Sequence, residues 1–136
     1  MFQRILNEKP SVMRKIFAVY GDITLPNLGL NEKHMKKVLE SHIVFHAAAS
    51  LKLEATLKPN ILMNLTGTKH VIDVAKMMPN HVLTVHFSTG FCCCDVEILD
   101  EKIEEWPDKP EDLIRCAEWM SEEAMAAMQK SVLRTQ

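Results

Sequence analysis

Residues 57–78 constrain this chain more than any other stretch. Leu57, Ile61, Leu65, Thr68, Ile72 and Ala75 recur at steps of three or four, and Leu62, Val71 and Val74 widen the same face. That spacing predicts a long amphipathic helix. Pro59 fits only its first turn. Gly67 inside the pattern costs about 1 kcal/mol relative to alanine, so a close backbone approach is expected there. Short apolar runs flank the helix, "HIVFHAAA" at 42–49 and "HVLTVHF" at 81–87. A strand, a long helix and a second strand make a right-handed crossover with the two strands parallel. The first run is apolar apart from its histidines, the pattern of a strand covered on both faces.

The remaining segments extend this scheme. "KIFAVYGD" (15–22) reads as a short buried strand stopped by Gly21, and "PNLGLN" (26–31) as a loop. Residues 31–40 form a helix with Asn31 as N-cap and Met35, Val38 and Leu39 as its apolar stripe. "EKIEEWPDKP" (101–110) is a polar loop. A final helix starts near Pro110 and carries Leu113, Ala117, Met120, Ala124 and Met128 on one side. The predicted class is α/β: a partial doubly wound, Rossmann-like parallel sheet with crossover helices. Residues 1–136 make one domain, with the helical segment 110–133 belonging to it.

Composition narrows the function. A length of 136 residues with 47% hydrophobic and 25% charged content describes an ordinary globular domain. The net charge of −2 shows no basic excess for nucleic acid. Lys33, Lys36 and Lys37 are offset by Glu32 and Glu40. No span approaches 18 apolar residues, and the N-terminus has no secretory pattern. Three of the four cysteines are consecutive, Cys92, Cys93 and Cys94. Neighbours in a strand point to opposite faces, so they make a poor disulfide framework, and no partner spacing completes a zinc site. Free thiols in a reducing compartment are expected, with no metal.

Strand ends hold the candidate chemistry, because open α/β sheets bind ligands there. "VFHAAAS" (44–50) removes side chains at such an end, either for a ligand's close approach or for tight helix packing. "YGD" (20–22) is a turn or a ligand-reading carboxylate. "NLTGT" (64–68) is a helix-to-loop brace with a packing notch. "HFSTG" (86–90) ends its strand in two hydroxyls, Ser88 and Thr89.

Taken in order, these fragments resemble the extended short-chain dehydrogenase/reductase superfamily. More closely, "GDITLPNLGL", "VFHAAAS", "NLTGTKHVIDVAKMM" and "VHFSTGFCCCD" look like the fatty acyl-CoA reductases, particularly the insect enzymes. The likeness runs from about Lys9 to Leu133. It implies an alcohol-forming, NADPH-dependent reduction of long-chain fatty acyl-CoA, at a peroxisomal or endoplasmic reticulum membrane. By this resemblance Asp22 and Ile23 contact adenine, and Ala47, Ala48 and Ala49 lie against the ribose and pyrophosphate. Ser88 belongs to the cofactor side, facing away from Thr89 by the period-two rule. Thr89 is the catalytic hydroxyl and Asn64 the helix asparagine that braces it. The family's usual Ser-Thr-Ala-Tyr is here Ser-Thr-Gly-Phe, so Phe91 lacks a hydroxyl.

The family also uses a Tyr-x-x-x-Lys pair as proton donor and a Gly-rich loop for the pyrophosphate. Tyr20 is the single tyrosine and is followed four residues on by Thr24, while Gly21, Gly29, Gly67 and Gly90 have no fingerprint spacing. The chain therefore reads as an internal fragment of the nucleotide-binding domain, lacking the first two strands and inactive alone. In the doubly wound order those two would separate 15–20 from its sheet. The rival reading is a non-catalytic α/β module that self-associates, or pairs with a full-length reductase, through an open sheet edge.

Overall fold

The fold is that of a computed structural model, which describes residues 3–52, 56–90, 97–98, 100–102 and 109–133, with side chains to 129. Phe91 and Cys92, Cys93 and Cys94 lie outside the described residues. The chain opens with α1 (Gln3–Glu8) and a 3₁₀ turn at Pro10–Lys15. Helix α2 (Glu32–Leu39) starts as expected at Asn31, whose side chain accepts the His34 N–H at 2.9 Å. Strand β1 (Ile43–His46) and strand β2 (Leu83–His86) pair in parallel, Ile43 beside Leu83 and His46 beside His86. Between them a continuous helical run at 57–76, here α3, comprises Leu57–Asn60, a π-helical segment Ile61–Thr66, and Gly67–Lys76.

Helix α3 is the packing axis. Its first half buries Ile61 against Ala117 and Met125, with Leu57, Leu62, Leu65, Cys116, Met120 and Met128 around them. Its second half buries Val71, Val74 and Ala75 and meets the turn at 26–29 and β1. The close approach expected at Gly67 is made by Ile23: a Cβ added to Gly67 would lie 2.9 Å from Ile23 Cδ1 and 3.0 Å from its Cγ1. His70 fastens the same turn, its Nδ1 lying 2.9 Å from the Ile23 carbonyl oxygen.

Three expectations are corrected. First, residues 16–20 form no strand. Their apolar side chains stand in solvent, Phe17 at 72% and Tyr20 at 88% exposure, and Phe17 meets the Lys37 ammonium at 5.7 Å. The sheet of the described residues holds β1 and β2 alone, and this segment joins no ladder there. Second, β1 is covered on one face only. His46 is buried and Val44 half-buried, whereas Ile43 and Phe45 are exposed, Phe45 at 66%. Leu83 and Phe87 continue that bare apolar face on the β2 side, and Phe87 lies 6.5 Å from the Phe45 ring.

Third, the final helix is two, α4 (Pro110–Trp119) and α5 (Glu122–Leu133). Met120 takes an extended backbone, and the Ser121 hydroxyl accepts the Ala124 N–H at 3.2 Å as an N-cap. The break lets the neighbouring helix ends cap one another across the bundle. Lys58 Nζ donates to the Met120 carbonyl at 2.6 Å, and the Leu57 N–H donates to Gln129 Oε1 at 3.1 Å. Ile114, Ala117 and Met125 face the core; Leu113 and Ala124 remain exposed.

Gly67→Ala separates propensity from packing. The helix gains about 1 kcal/mol from alanine, but Ile23 must give way. The expected result in urea unfolding is net destabilisation, reversed when Ile23→Ala is added; a stabilised single variant would show that the contact with Ile23 is loose.

Candidate functional site

The C-terminal ends of β1 and β2 open into a crevice of about 550 Å³ lined by residues 48–51, Asn64, Thr68 and residues 86–89. Such a position, outside the carboxyl ends of parallel strands, is where α/β sheets receive ligands. The volume is in the range of small-molecule sites. Five of the eight sequence-derived site residues meet there: Ala48, Ala49, Asn64, Ser88 and Thr89.

Asn64 is a two-way clamp. Its Oδ1 accepts the Ser50 N–H at 2.7 Å, and its Nδ2 donates to the Ser50 carbonyl at 3.1 Å. One amide thus satisfies both backbone groups of a residue just beyond β1, where no ladder is available. Asn64 thereby ties α3 to the loop after β1. Ala48 and Ala49, between His46 and the clamped Ser50, present small side chains to the crevice.

Ser88 and Thr89 both line the opening, so the period-two rule does not sort them to opposite sides. The reason is that β2 ends at His86, and the Phe87 N–H makes the next bond to β1, reaching the His46 carbonyl at 2.9 Å. Beyond it the chain leaves the pleat.

Ala47, Asp22 and Ile23 are not among the lining residues. Asp22 sits in a turn, its Oδ1 accepting both the Thr24 N–H at 2.8 Å and the Thr24 hydroxyl at 2.7 Å. The Thr24 hydroxyl, and then its N–H, hold the Asp22 carboxyl below its ordinary value. The turn closes through Asp22 N–H to the Leu28 carbonyl at 2.8 Å. Gly21 admits that oxygen, since a Cβ there would stand 2.7 Å from it. Asn27 and Leu28 adopt left-handed φ of 55° and 57°; for a leucine this costs roughly 1–2 kcal/mol.

Two residues at the site were not singled out from the sequence. His46 is 5% exposed, stacks on His86 with ring centroids 5.0 Å apart, and places Nε2 2.9 Å from Thr68 Oγ1. His86 lines the crevice itself. The signal was the repeated histidine at the end of each apolar run, in register once the strands are parallel. Among the described residues no group of three or more His, Cys, Asp or Glu side chains could hold a metal.

A family model described as "Male sterility protein", an NAD-binding family, matches residues 1–134. The chain belongs to this family. Fatty acyl-CoA reductase 1 of Pongo abelii is 32% identical over 123 residues, covering 90% of this chain and 24% of that protein. The Homo sapiens protein of the same name is 31% identical over the same length and coverage. Fatty acyl-CoA reductase 2 of Homo sapiens is 27% identical over 135 residues, 98% of this chain and 26% of that protein. The chain thus spans about a quarter of the length of these curated relatives. No solved structure matches it. The resemblance carried by the four sequence fragments is met at the level of the family, and a Rossmann-like class follows from it.

Two measurements follow from the clamp and the histidine. Burial, reinforced by the adjacent His86 ring, holds His46 below its ordinary 6.5. A depressed folded value means that the unfolded chain binds the proton first. The contribution is therefore complete above pH 6.5 and is lost as pH falls from there through the folded value. Stability measured by urea unfolding should fall between pH 7 and 5, with a smaller drop in His46→Gln; equal slopes would contradict the assignment. Asn64→Ala should cost about 1–2 kcal/mol for two hydrogen bonds, and Asn64→Asp should not recover it, because a carboxylate cannot donate to the Ser50 carbonyl.

Proposed function

We propose that this chain supplies part of the nucleotide-binding domain of an alcohol-forming, NADPH-dependent fatty acyl-CoA reductase, acting on long-chain acyl-CoA. The observation that carries the reading is the crevice, which gathers Ala48, Ala49, Asn64, Ser88 and Thr89 at the ends of two parallel strands in a chain of this family. A nicotinamide cofactor, when bound, supplies the hydride. Thr89 would hydrogen-bond the substrate carbonyl as negative charge builds on its oxygen, an interaction that strengthens in the transition state. Ala48 and Ala49 would let the cofactor approach the backbone, with Ala47 and Ser88 at the margins of the same contact. Asp22 and Ile23 are proposed to read adenine, and Asn64 to hold the wall on which the cofactor rests. In this reading the parent enzyme works at a peroxisomal or endoplasmic reticulum membrane. Among the described residues no helix is long and apolar enough to cross one.

These 136 residues contain neither a Tyr-x-x-x-Lys pair nor a Gly-rich fingerprint, and we propose that they turn over nothing by themselves. The alternative, a non-catalytic module that pairs with a full-length reductase or with itself, draws on the bare sheet face of Ile43, Phe45, Leu83 and Phe87.

The deciding experiment places this segment within a full-length reductase in place of the corresponding one and follows NADPH oxidation with palmitoyl-CoA. Activity is expected, with Thr89→Val lowering kcat by about 10²-fold and KM changing little. A larger loss in Ser88→Ala would transfer the role to Ser88. Retained activity in both variants would remove the catalytic reading and leave the module.

A further inference from the structure

The wall of the crevice is attached to α3 at two points one helical turn apart. At its far end Ser50 is held by the Asn64 side chain; at its near end His46 is held by Thr68. The two pins are coupled, because the Thr68 hydroxyl also donates to the Asn64 carbonyl at 2.6 Å. That contact fixes the protons. A carbonyl oxygen can only accept, so the one hydroxyl proton of Thr68 is committed to Asn64. The remaining contact, Nε2 of His46 to Thr68 Oγ1, then has its proton on nitrogen. The neutral His46 ring is then the Nε2–H tautomer.

We propose that Thr68 is the positioning residue of this crevice. It holds the wall at 47–50 through both pins and fixes the Nε2 proton of His46 toward α3. His86, stacked on that ring, is the member of the pair that lines the opening. Among the described residues, Thr68 meets the pair from α3. The other charged groups on that stretch of helix are engaged elsewhere: Lys69 pairs with Asp73 at 2.6 Å, and His70 bonds the Ile23 carbonyl. At the opposite end of β2, His81 Nε2 lies 2.9 Å from Thr84 Oγ1.

The assignment concerns the positioning of the site proposed above and rests on that site for its functional meaning. Its test needs no ligand, so the two can fail separately. Imidazole carbon and nitrogen shifts in the unliganded chain should show His46 as the Nε2–H tautomer. In Thr68→Val the His46 tautomers should mix, and the Ser50 amide should exchange about tenfold faster, the effect of losing roughly one net hydrogen bond. Val74 and Ala75 amides should be unchanged. Thr68→Ser should restore both signatures. A wild-type His46 found as Nδ1–H overturns the proposal even where Thr68→Val fails to fold. So does a folded Thr68→Val chain with unaltered Ser50 exchange and His46 tautomer.

Discussion

The arrangement depends on one helix being packed along its length by different partners. The first half of α3 is buried by α4 and α5 through Ile61, Ala117 and Met125. Its second half receives β1 and the turn carrying Ile23. The crevice residues Asn64 and Thr68 lie at the join, where the π-helical segment Ile61–Thr66 gives way to the α-helix from Gly67. A π segment widens the helical turn and changes the bearing of the residues on either side of it. The helical core thus fixes the orientation of the pins, and the pins fix the loop beyond β1. A chain with the same strands and a differently seated helix would keep the sheet and lose the crevice.

Much of this was legible from spacing. The 3.6-residue period of 57–78 and the two flanking apolar runs were enough for a parallel crossover, because handedness and helix length leave few alternatives. Asn31 announced a helix start, and Gly67 announced a contact without naming Ile23. Ala48, Ala49, Ser88 and Thr89 came together because a parallel sheet puts its carboxyl ends on one side. The resemblance supplied roles for them, which spacing could not.

What was not legible has physical reasons. The stretch 16–20 has the composition of a strand, but composition cannot provide a neighbour, and a ladder needs one. The same limit applies to β1, whose apolar run suggested two covered faces while only Val44 and His46 are sheltered. The break at Met120 was hidden because Met120 and Ser121 interrupt no apolar period; it is set by a distant lysine and a serine cap. The importance of His46 and His86 was hidden because the two residues stand 40 positions apart and meet only once the strands are in register.

That separation has a kinetic side. Each of the four paired positions joins residues 40 apart, Ile43 to Leu83 for instance. Closing a loop of this length costs roughly 3 kcal/mol in chain entropy before any contact is gained. Two four-residue strands offer little to offset it. The helix between them is made of local contacts and shortens the chain from an extended reach to a rod, bringing the strand ends within range of one another. Folding is therefore expected to begin at 57–76, with the sheet, and with it the crevice, assembling last and opening first.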